Sequence, residues 1–464
     1  MQLEFVNHAG FLVETNDVVL LCDPWIEGSA FNGGWELLAP TALRDEDLHR
    51  VTHIWFSHEH PDHFSPADLK RIPEEIRSRI TVLFQATEDR KLARFCEKFG
   101  FAEVREMQPH TWYPLNGSVE MLCNPLPTEW DADSWMCLRD GDRTLLNIND
   151  CGVDEPGIAQ QIKDEVGAVD VLMTQFSYAA WTGNPEDSQQ RGEVAKGILE
   201  NIRLQIEVIQ PRRVIPFASF IWFSSRAAYH LNADVNRIDR VVDFIDAQTE
   251  AEAVVLYPGD RWNVGEEHDT QRSVSRYLQD YENIPSIEAL PIPRTVPETE
   301  LFEASESYVA RLREAVSPLL IRLDQAVDAG KELGTTGRFL RLFRNPEPGL
   351  IHVEDLDRVY AFDPVRGLRP VEVSAEACHI RTDSDSLLFA LKFLWGGESL
   401  LINGRFVELR ADGEDRLGAT ADRVFRQFRL GRSLDLGRDL SWTAAVRSAG
   451  RRLQDLFPGF EART

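Results

Sequence analysis

The chain contains the heptapeptide Ser57-His58-Glu59-His60-Pro61-Asp62-His63, which places three histidines and an aspartate close together. Imidazole nitrogens bind zinc, iron and related ions, and a carboxylate adds a hard oxygen donor. Histidine is scarce in this chain, with 11 in 464 residues, so chance clustering of three is improbable. The heptapeptide therefore predicts a metal site in preference to a polar loop in which histidines happen to cluster.

Short runs of β-branched and aromatic residues surround the heptapeptide. Residues 51–57 (VTHIWFS) predict a strand buried on both faces, and the loop after such a strand is where α/β proteins usually place their chemistry. Residues 2–6, 11–13 and 18–22 predict a strand meander, and later strand and helix patterns alternate as in βαβ units. We expect an α/β fold with two sheets and helices outside them.

The pattern H-x-H-x-D-H after a buried strand resembles the signature of the metallo-β-lactamase superfamily, and the resemblance spans residues 1–265. It implies an αββα sandwich that holds two metal ions. It also implies that each metal takes two ligands from the loop, namely His58 and His60 for the first and Asp62 and His63 for the second.

Two strand ends extend this resemblance. The run that ends at Asp23 resembles the second-strand motif, whose aspartate braces the metal loop. The run that ends at Asn149-Asp150 resembles the strand end that supplies an aspartate bridging the two metals. Without the heptapeptide, an Asn-Asp turn after a strand would be the simpler interpretation of Asp150.

The third ligand of the first metal departs from the hydrolase pattern. The segment expected to supply a histidine is 127–135 (PTEWDADSW), which contains none. Glu129 is the best-aligned donor and Asp131 and Asp133 are substitutes, with a solvated acidic turn as the alternative. A carboxylate at this position shifts the expected metal from zinc towards iron or manganese.

The last ligand of the second metal should be a histidine after a late strand, and His230 is the candidate there. The alternative for His230 is a hydrogen-bonded histidine on a helix. His8, in the first turn, is expected to be a structural residue hydrogen-bonded to the site. In this interpretation His58, His60 and Glu129 hold one iron, Asp62, His63 and His230 hold the other, and Asp150 bridges them.

Four longer stretches resemble the oxygenase branch that contains the CMP-N-acetylneuraminate hydroxylases and the nonheme diiron monooxygenase of platensimycin and platencin biosynthesis. They are 23–35 (DPWIEGSAFNGGW), 56–66 (FSHEHPDHFSP), 174–181 (TQFSYAAW) and 215–220 (IPFASF). This resemblance implies a diiron monooxygenase with dioxygen as co-substrate, acting on a largely apolar substrate such as a diterpenoid coenzyme A thioester in natural-product biosynthesis. The chain lacks the cysteine–histidine pattern of a Rieske cluster, so electrons would come from an external reductase or ferredoxin.

Aromatic residues are dense around these motifs and favour an apolar pocket, although at least half of them should be ordinary core. They are Trp25, Phe31, Trp35, Trp130, Trp135, Tyr178, Trp181, Phe217, Phe220, Trp222 and Phe223. Arg212, Arg213 and Arg226 offer charge for an anionic group on the substrate, or are plain surface arginines. The alternative function is a dinuclear zinc or manganese hydrolase of an ester, lactone or phosphodiester.

Composition and spacing set the wider frame. The net charge of −26 argues against nucleic acid or an anionic membrane as a partner, and six scattered cysteines are typical of a reduced, cytoplasmic protein. We predict a catalytic domain over 1–285, a Pro-rich linker over 286–300 and a smaller α+β domain over 301–464. That last domain resembles small lipid-carrier-like modules and suits covering a pocket, pairing subunits in a homodimer, or a purely structural role.

Overall fold

The computed structural model describes residues 1–87, 90–127, 132–141, 143–328, 347–410 and 416–435. The chain divides into two compact units, Met1–Leu290 and Pro291–Thr464, and this division falls inside the predicted linker. No helix within the described ranges has the length and apolar character needed to cross a bilayer.

Strands of the amino-terminal unit form two large sheets and one small one. The strands are β1 (Gln2–Phe5), β2 (Phe11–Thr15), β3 (Val18–Cys22), β4 (Trp35–Leu37), β5 (His53–Trp55), β6 (Thr81–Gln85), β7 (Glu103–Met107), β8 (Trp112–Asn116), β9 (Val119–Pro127), β10 (Ala132–Asp140), β11 (Arg143–Asn149), β12 (Val171–Gln175), β13 (Arg213–Phe217), β14 (Ile221–Phe223), β15 (Glu252–Ala253) and β16 (Arg261–Asn263).

Helices of this unit fall mainly between and after the strands. They are α1 (Asp45–Arg50), α2 (Pro66–Leu69), α3 (Glu74–Arg77), α4 (Lys91–Phe99), α5 (Pro156–Val166), α6 (Ser188–Ile209), α7 (Ile238–Gln248) and α8 (Thr270–Glu282), with 3₁₀ turns at Tyr229–Ala233 and Ile287–Ala289. Residues 88 and 89, which precede α4, lie outside the described residues.

The two large sheets have matching designs. The first has the order β16-β1-β2-β3-β5-β6-β7 and the second the order β15-β13-β12-β11-β10-β9-β8. In the first sheet the strands pair antiparallel from β16 to β3 and parallel from β3 to β7. The second sheet is antiparallel from β8 to β11 and parallel from β11 to β15.

Side-chain alternation explains how the sheets pack. Strand β3 is buried throughout, and its consecutive residues Leu20 and Leu21 point to opposite faces and belong to different hydrophobic clusters. Leu20 faces the cluster shared with the second sheet, whereas Leu21 lies in the cluster under α1 to α4. A period of two on a strand buried on both faces produces this division. The expected αββα sandwich is confirmed.

The carboxy-terminal unit is a smaller α+β assembly, as predicted. Its elements are α9 (Glu298–Asp328), β17 (Gly349–Val353), β18 (Arg358–Asp363), β19 (Gly367–Pro370), β20 (Ile380–Thr382), α10 (Ser384–Lys392), α11 (Gly396–Asn403), β21 (Phe406–Glu408) and α12 (Asp422–Asp435), with 3₁₀ turns at Glu354–Leu356 and Ala375–Ala377. The sheet order is β19-β18-β17-β20-β21. Tyr308 and Phe428 pack on Phe362 of β18, with ring centroids 5.8 and 4.6 Å away.

Candidate metal centre

The loop that follows β5 closes into a single helical turn. The backbone N–H groups of His63 and Phe64 both donate to the carbonyl of His60, at 3.0 and 2.7 Å. This closure draws the imidazoles together, because the ring centroid of His58 lies 4.6 Å from that of His60 and 4.2 Å from that of His63. The heptapeptide thus forms a compact set of donors at the carboxyl end of a buried strand.

Two groups of three donors result, each with ligand atoms within 4.8 Å of one another. One group is His58, His60 and Asp150, and the other is His8, Asp62 and His63. The sequence-based pairing of the loop residues therefore reappears in the geometry, with two residues of the heptapeptide in each group.

Asp150 belongs to the first group and also lies close to His63 of the second. Its Oδ2 is 3.6 Å from His58 Nε2 and 3.5 Å from His63 Nε2. The register between β11 and β12 shifts between Asn147 and Asn149, and Asn149 has a φ of +53°. Such an irregularity re-aims the chain at a strand end, and here it delivers the next carboxylate to the position expected of a bridging ligand.

The donor set fits metal ions. Asp62 Oδ1 and Asp150 Oδ1 are buried and make no hydrogen bond with any described residue. Buried polar atoms are normally paired, and each unpaired one costs about 1–3 kcal/mol. A metal ion on each group would satisfy these atoms with the nitrogen and oxygen ligands that iron, manganese and zinc accept.

Asp23 braces this arrangement, as expected from its strand end. It is fully buried and its Oδ1 accepts the backbone N–H of Ser57 at 2.8 Å. Its Oδ2 accepts Ser57 Oγ at 2.7 Å, His63 Nδ1 at 3.0 Å and Asn149 Nδ2 at 2.9 Å. Because Nδ1 of His63 donates to this carboxylate, Nε2 is left as the nitrogen that can bind a metal.

Charge and burial perturb the titration of the buried donors. Burial lowers the pKa of His58 to about 3, which leaves this imidazole neutral and ready to bind a metal. Burial raises the pKa of Asp62, but His63 and His8 outweigh it and hold that pKa well below its usual range. Burial also lowers the pKa of His63, yet Asp62 and Asp150 outweigh it and raise that pKa well above its ordinary value. Metal at His63 would replace a proton.

One acidic residue of the segment expected to supply the missing histidine, Asp133, lies near the first group. Glu129 and Asp131 lie outside the described residues, whereas Asp133 is described and its Oδ1 lies 4.0 Å from His58 Nδ1. Ser134 anchors this end of β10, since its backbone N–H donates to the carbonyl of Ser57 at 3.1 Å and its hydroxyl donates at 2.5 Å. The role of Glu129 stays a prediction.

The structure does not bring His230 into either group. It lies in a 3₁₀ turn, and its Nε2 contacts the backbone carbonyl of Gly183 at 2.9 Å. His8 is present in its place, with Nε2 3.2 Å from Asp62 Oδ2 and 1% exposure. The sequence interpretation gave His8 a hydrogen bond to the site but not a place among the donors.

Aromatic rings surround one side of the donors. The rings of Trp25 and Trp35 contact that of His8 at centroid distances of 5.9 and 6.5 Å, and Phe31 contacts His60 at 5.7 Å. Other aromatics of the predicted set, such as Phe217, are core between the sheets. Trp130 lies outside the described residues.

The three arginines suggested for an anionic group have structural contacts instead. Arg212 lies 3.5 Å from Asp170, and Arg213 lies 2.7 Å from Glu252. Arg226 donates to the backbone carbonyls of residues 288 and 290 at 2.8 and 3.0 Å.

Comparison with known proteins agrees with this geometry. Residues 2–112 match the model of the beta-lactamase superfamily domain. Over 246 residues the chain is 29% identical to a putative Rieske 2Fe-2S iron-sulfur protein of Mycolicibacterium smegmatis, covering 50% of this chain and 46% of that protein. Over 228 residues it is 25% identical to the cytidine monophosphate-N-acetylneuraminic acid hydroxylase of Mus musculus, covering 47% and 39%. The chain thus spans less than half the length of these relatives.

Among solved structures, CmlA, a diiron beta-hydroxylase from Streptomyces venezuelae, is similar with 20% identity and a TM-score of 0.40, over 56% of this chain and 53% of that one. A possible metal-dependent hydrolase from Veillonella parvula is similar with 16% identity and a TM-score of 0.42, over 56% and 98%. The matching domain model and the hydroxylase relatives confirm the resemblance to the metallo-β-lactamase superfamily and its oxygenase branch.

Proposed function

We propose that the amino-terminal unit, which carries a beta-lactamase superfamily domain, is a nonheme diiron monooxygenase that hydroxylates a largely apolar small molecule. The observation that carries the proposal is the pair of adjacent donor groups with Asp150 between them, next to an acidic segment where a histidine is expected. Hydroxylase relatives support the same reaction class.

In this proposal His58, His60 and a carboxylate of the acidic segment, Glu129 first, hold one iron. Asp62 and His63, with His8 in the position first given to His230, hold the other. Two irons in such a site supply the redox chemistry that reduces dioxygen, so that substrate C–H, O₂, two electrons and two protons give C–OH and water. An external reductase or ferredoxin provides the electrons.

The protein's own contribution is to hold the donors and limit water. Asp23 fixes the orientation of His63, and the rings of Phe31 and Trp35 shield the donors from solvent on one side. His60 is only partly buried and the Asp150 side chain is 20% exposed, so the site opens towards solvent beside these two residues. A diterpenoid coenzyme A thioester is the substrate that the resemblance suggests.

The second candidate is a dinuclear zinc or manganese hydrolase of an ester, lactone or phosphodiester. A specific observation favours it: with His8 among the donors, the two groups contain four imidazoles. Zinc is bound more often by sites rich in nitrogen ligands than by sites rich in oxygen ligands.

Metal analysis of anaerobically purified protein decides between them. We expect about two irons per chain and a reduced form whose optical and Mössbauer spectra change on exposure to oxygen. Stoichiometric zinc without oxygen chemistry would contradict the proposal and favour the hydrolase.

A pair of variants then assigns the missing ligand. Glu129→Ala should lower the occupancy of one metal site, with Asp133→Ala as the matched control. Unchanged metal content in Glu129→Ala together with a loss in Asp133→Ala would move the role to Asp133.

A further inference from the structure

The indole of Trp35 is a buried hydrogen-bond donor that the described part of the chain leaves unsatisfied. Trp35 is 2% exposed, and its Nε1 has no hydrogen-bond partner among the described residues. The indoles of Trp25, Trp55 and Trp262 behave differently, because their N–H groups donate to Glu27 O, Cys123 Sγ and Glu266 O at 3.3, 3.4 and 3.0 Å. Buried indole N–H groups usually find an acceptor, so the exception calls for one.

Trp35 stands beside the donor groups. Its ring contacts His8 of one group, and the ring of Phe31 packs against it edge-on at a centroid distance of 4.6 Å. Phe31 in turn contacts His60 of the other group. These two rings, which we call the aromatic wall, therefore touch one proposed ligand of each metal.

The backbone of the aromatic wall is held in place. Trp35 pairs with Phe223 across the small β4–β14 sheet, and its backbone N–H and carbonyl exchange hydrogen bonds with Ala30 at 3.2 and 3.0 Å. Phe31 has a φ of +49° and the following residue, Asn32, a φ of +58°, a left-handed conformation that is unfavourable for a bulky side chain such as that of Phe31. Strained backbone that the surroundings hold firmly is concentrated at binding sites.

We propose that the aromatic wall binds the substrate of the metal site, and that Trp35 Nε1 donates a hydrogen bond to a neutral carbonyl oxygen of that substrate. This inference rests on the proposed function and names the group by which its substrate is recognised.

The chemistry of the surroundings selects the acceptor. An indole N–H can only donate, so its partner must be an acceptor such as a carbonyl oxygen. Trp35 is 2% exposed, so a neutral acceptor costs less to bury beside it than a charged one, and the flanking rings favour an apolar body. A thioester or ketone carbonyl on a hydrocarbon skeleton meets both conditions.

Two nearly isosteric probes test the hydrogen bond. Acetophenone carries a carbonyl oxygen and ethylbenzene does not, and their dissociation constants are measured by calorimetry on zinc-loaded protein. We expect wild type to prefer acetophenone by roughly tenfold, the size of one net hydrogen bond, and Trp35→Phe to lose this preference.

Trp262→Phe is the matched control, since that indole already donates to a backbone carbonyl. It should keep the preference but unfold at lower urea concentration, whereas Trp35→Phe should unfold at the wild-type concentration or above because an unpaired buried donor is removed.

A preference that survives in Trp35→Phe, equal affinity of wild type for the two probes, or the failure of acetophenone to bind wild type overturns the inference. Zinc takes no part in redox chemistry, so this result is independent of the iron and oxygen measurements that decide the proposed function.

Discussion

Replacing Asp23 with Asn should weaken both the fold and the metal site. The substitution keeps the shape of the side chain and one oxygen, which can still accept the backbone N–H of Ser57. The other oxygen becomes an amide nitrogen that faces His63 Nδ1 and Asn149 Nδ2, now 3.0 and 2.9 Å from an acceptor. Ser57 Oγ can turn to accept a hydrogen bond from that nitrogen, but the two buried donors His63 Nδ1 and Asn149 Nδ2 lose their acceptor.

Each buried donor left unpaired costs about 1–3 kcal/mol, so the free energy of unfolding of the metal-free protein should fall by about 2–6 kcal/mol. His63 also loses the contact that orients its Nε2, and removal of such a partner typically lowers metal affinity about 10–100-fold. Urea unfolding of metal-free protein measures the first effect, and competition with a chelator of known affinity measures the second.

Asp17→Asn is the control, because Asp17 is exposed in the turn between β2 and β3 and its loss should change the free energy of unfolding by less than about 0.5 kcal/mol. If Asp23→Asn matched Asp17→Asn in both assays, the bracing role of Asp23 would be refuted.

Of three further predictions, two concern the metal donors and one concerns the buried ion pair of Arg191 and Asp234. Below the raised pKa of His63, metal affinity should increase as the pH increases, because the metal displaces a proton from this imidazole. Calorimetry in two buffers of different ionisation enthalpy should detect the released proton, and binding without proton release would contradict this prediction. His8→Ala should lower metal content measured by elemental analysis, whereas His230→Ala should leave it unchanged, and the reverse pattern would restore His230 as a ligand. Arg191→Met should lower the free energy of unfolding in urea by about 3 kcal/mol, because Asp234, 2.7 Å away, loses its buried partner; a change below about 1 kcal/mol would count against that pair.

The metal loop and the strands next to it could be predicted from the sequence. The heptapeptide and the buried run before it predicted the metal loop, and β3 at Val18–Cys22 coincides with the predicted strand 18–22. These features depend on residues within a few positions of one another, so the pattern alone specifies them.

The histidines outside the loop depended on contacts that no local pattern records. His8 meets Asp62 across 54 positions, and it is the pairing of β1, β2, β3 and β5 in one sheet that brings their loops together. His230 was selected as the histidine after a late strand, yet its turn directs Nε2 to the carbonyl of Gly183. For such residues the sequence supplied candidates, and the tertiary structure determined which of them meet.

The brace on Asp23 joins the two halves of the sandwich. Asp23 and Ser57 come from the first sheet, and they meet Asn149 and Ser134 of the second across 126 and 77 positions. Contacts between such distant positions form late in folding, because a long loop must close before they stabilise anything. The group that contains Asp150 therefore cannot assemble until the sheets have docked. We expect that bound metal would link the two sheets, so that the rate of metal loss would measure how often the sheets separate.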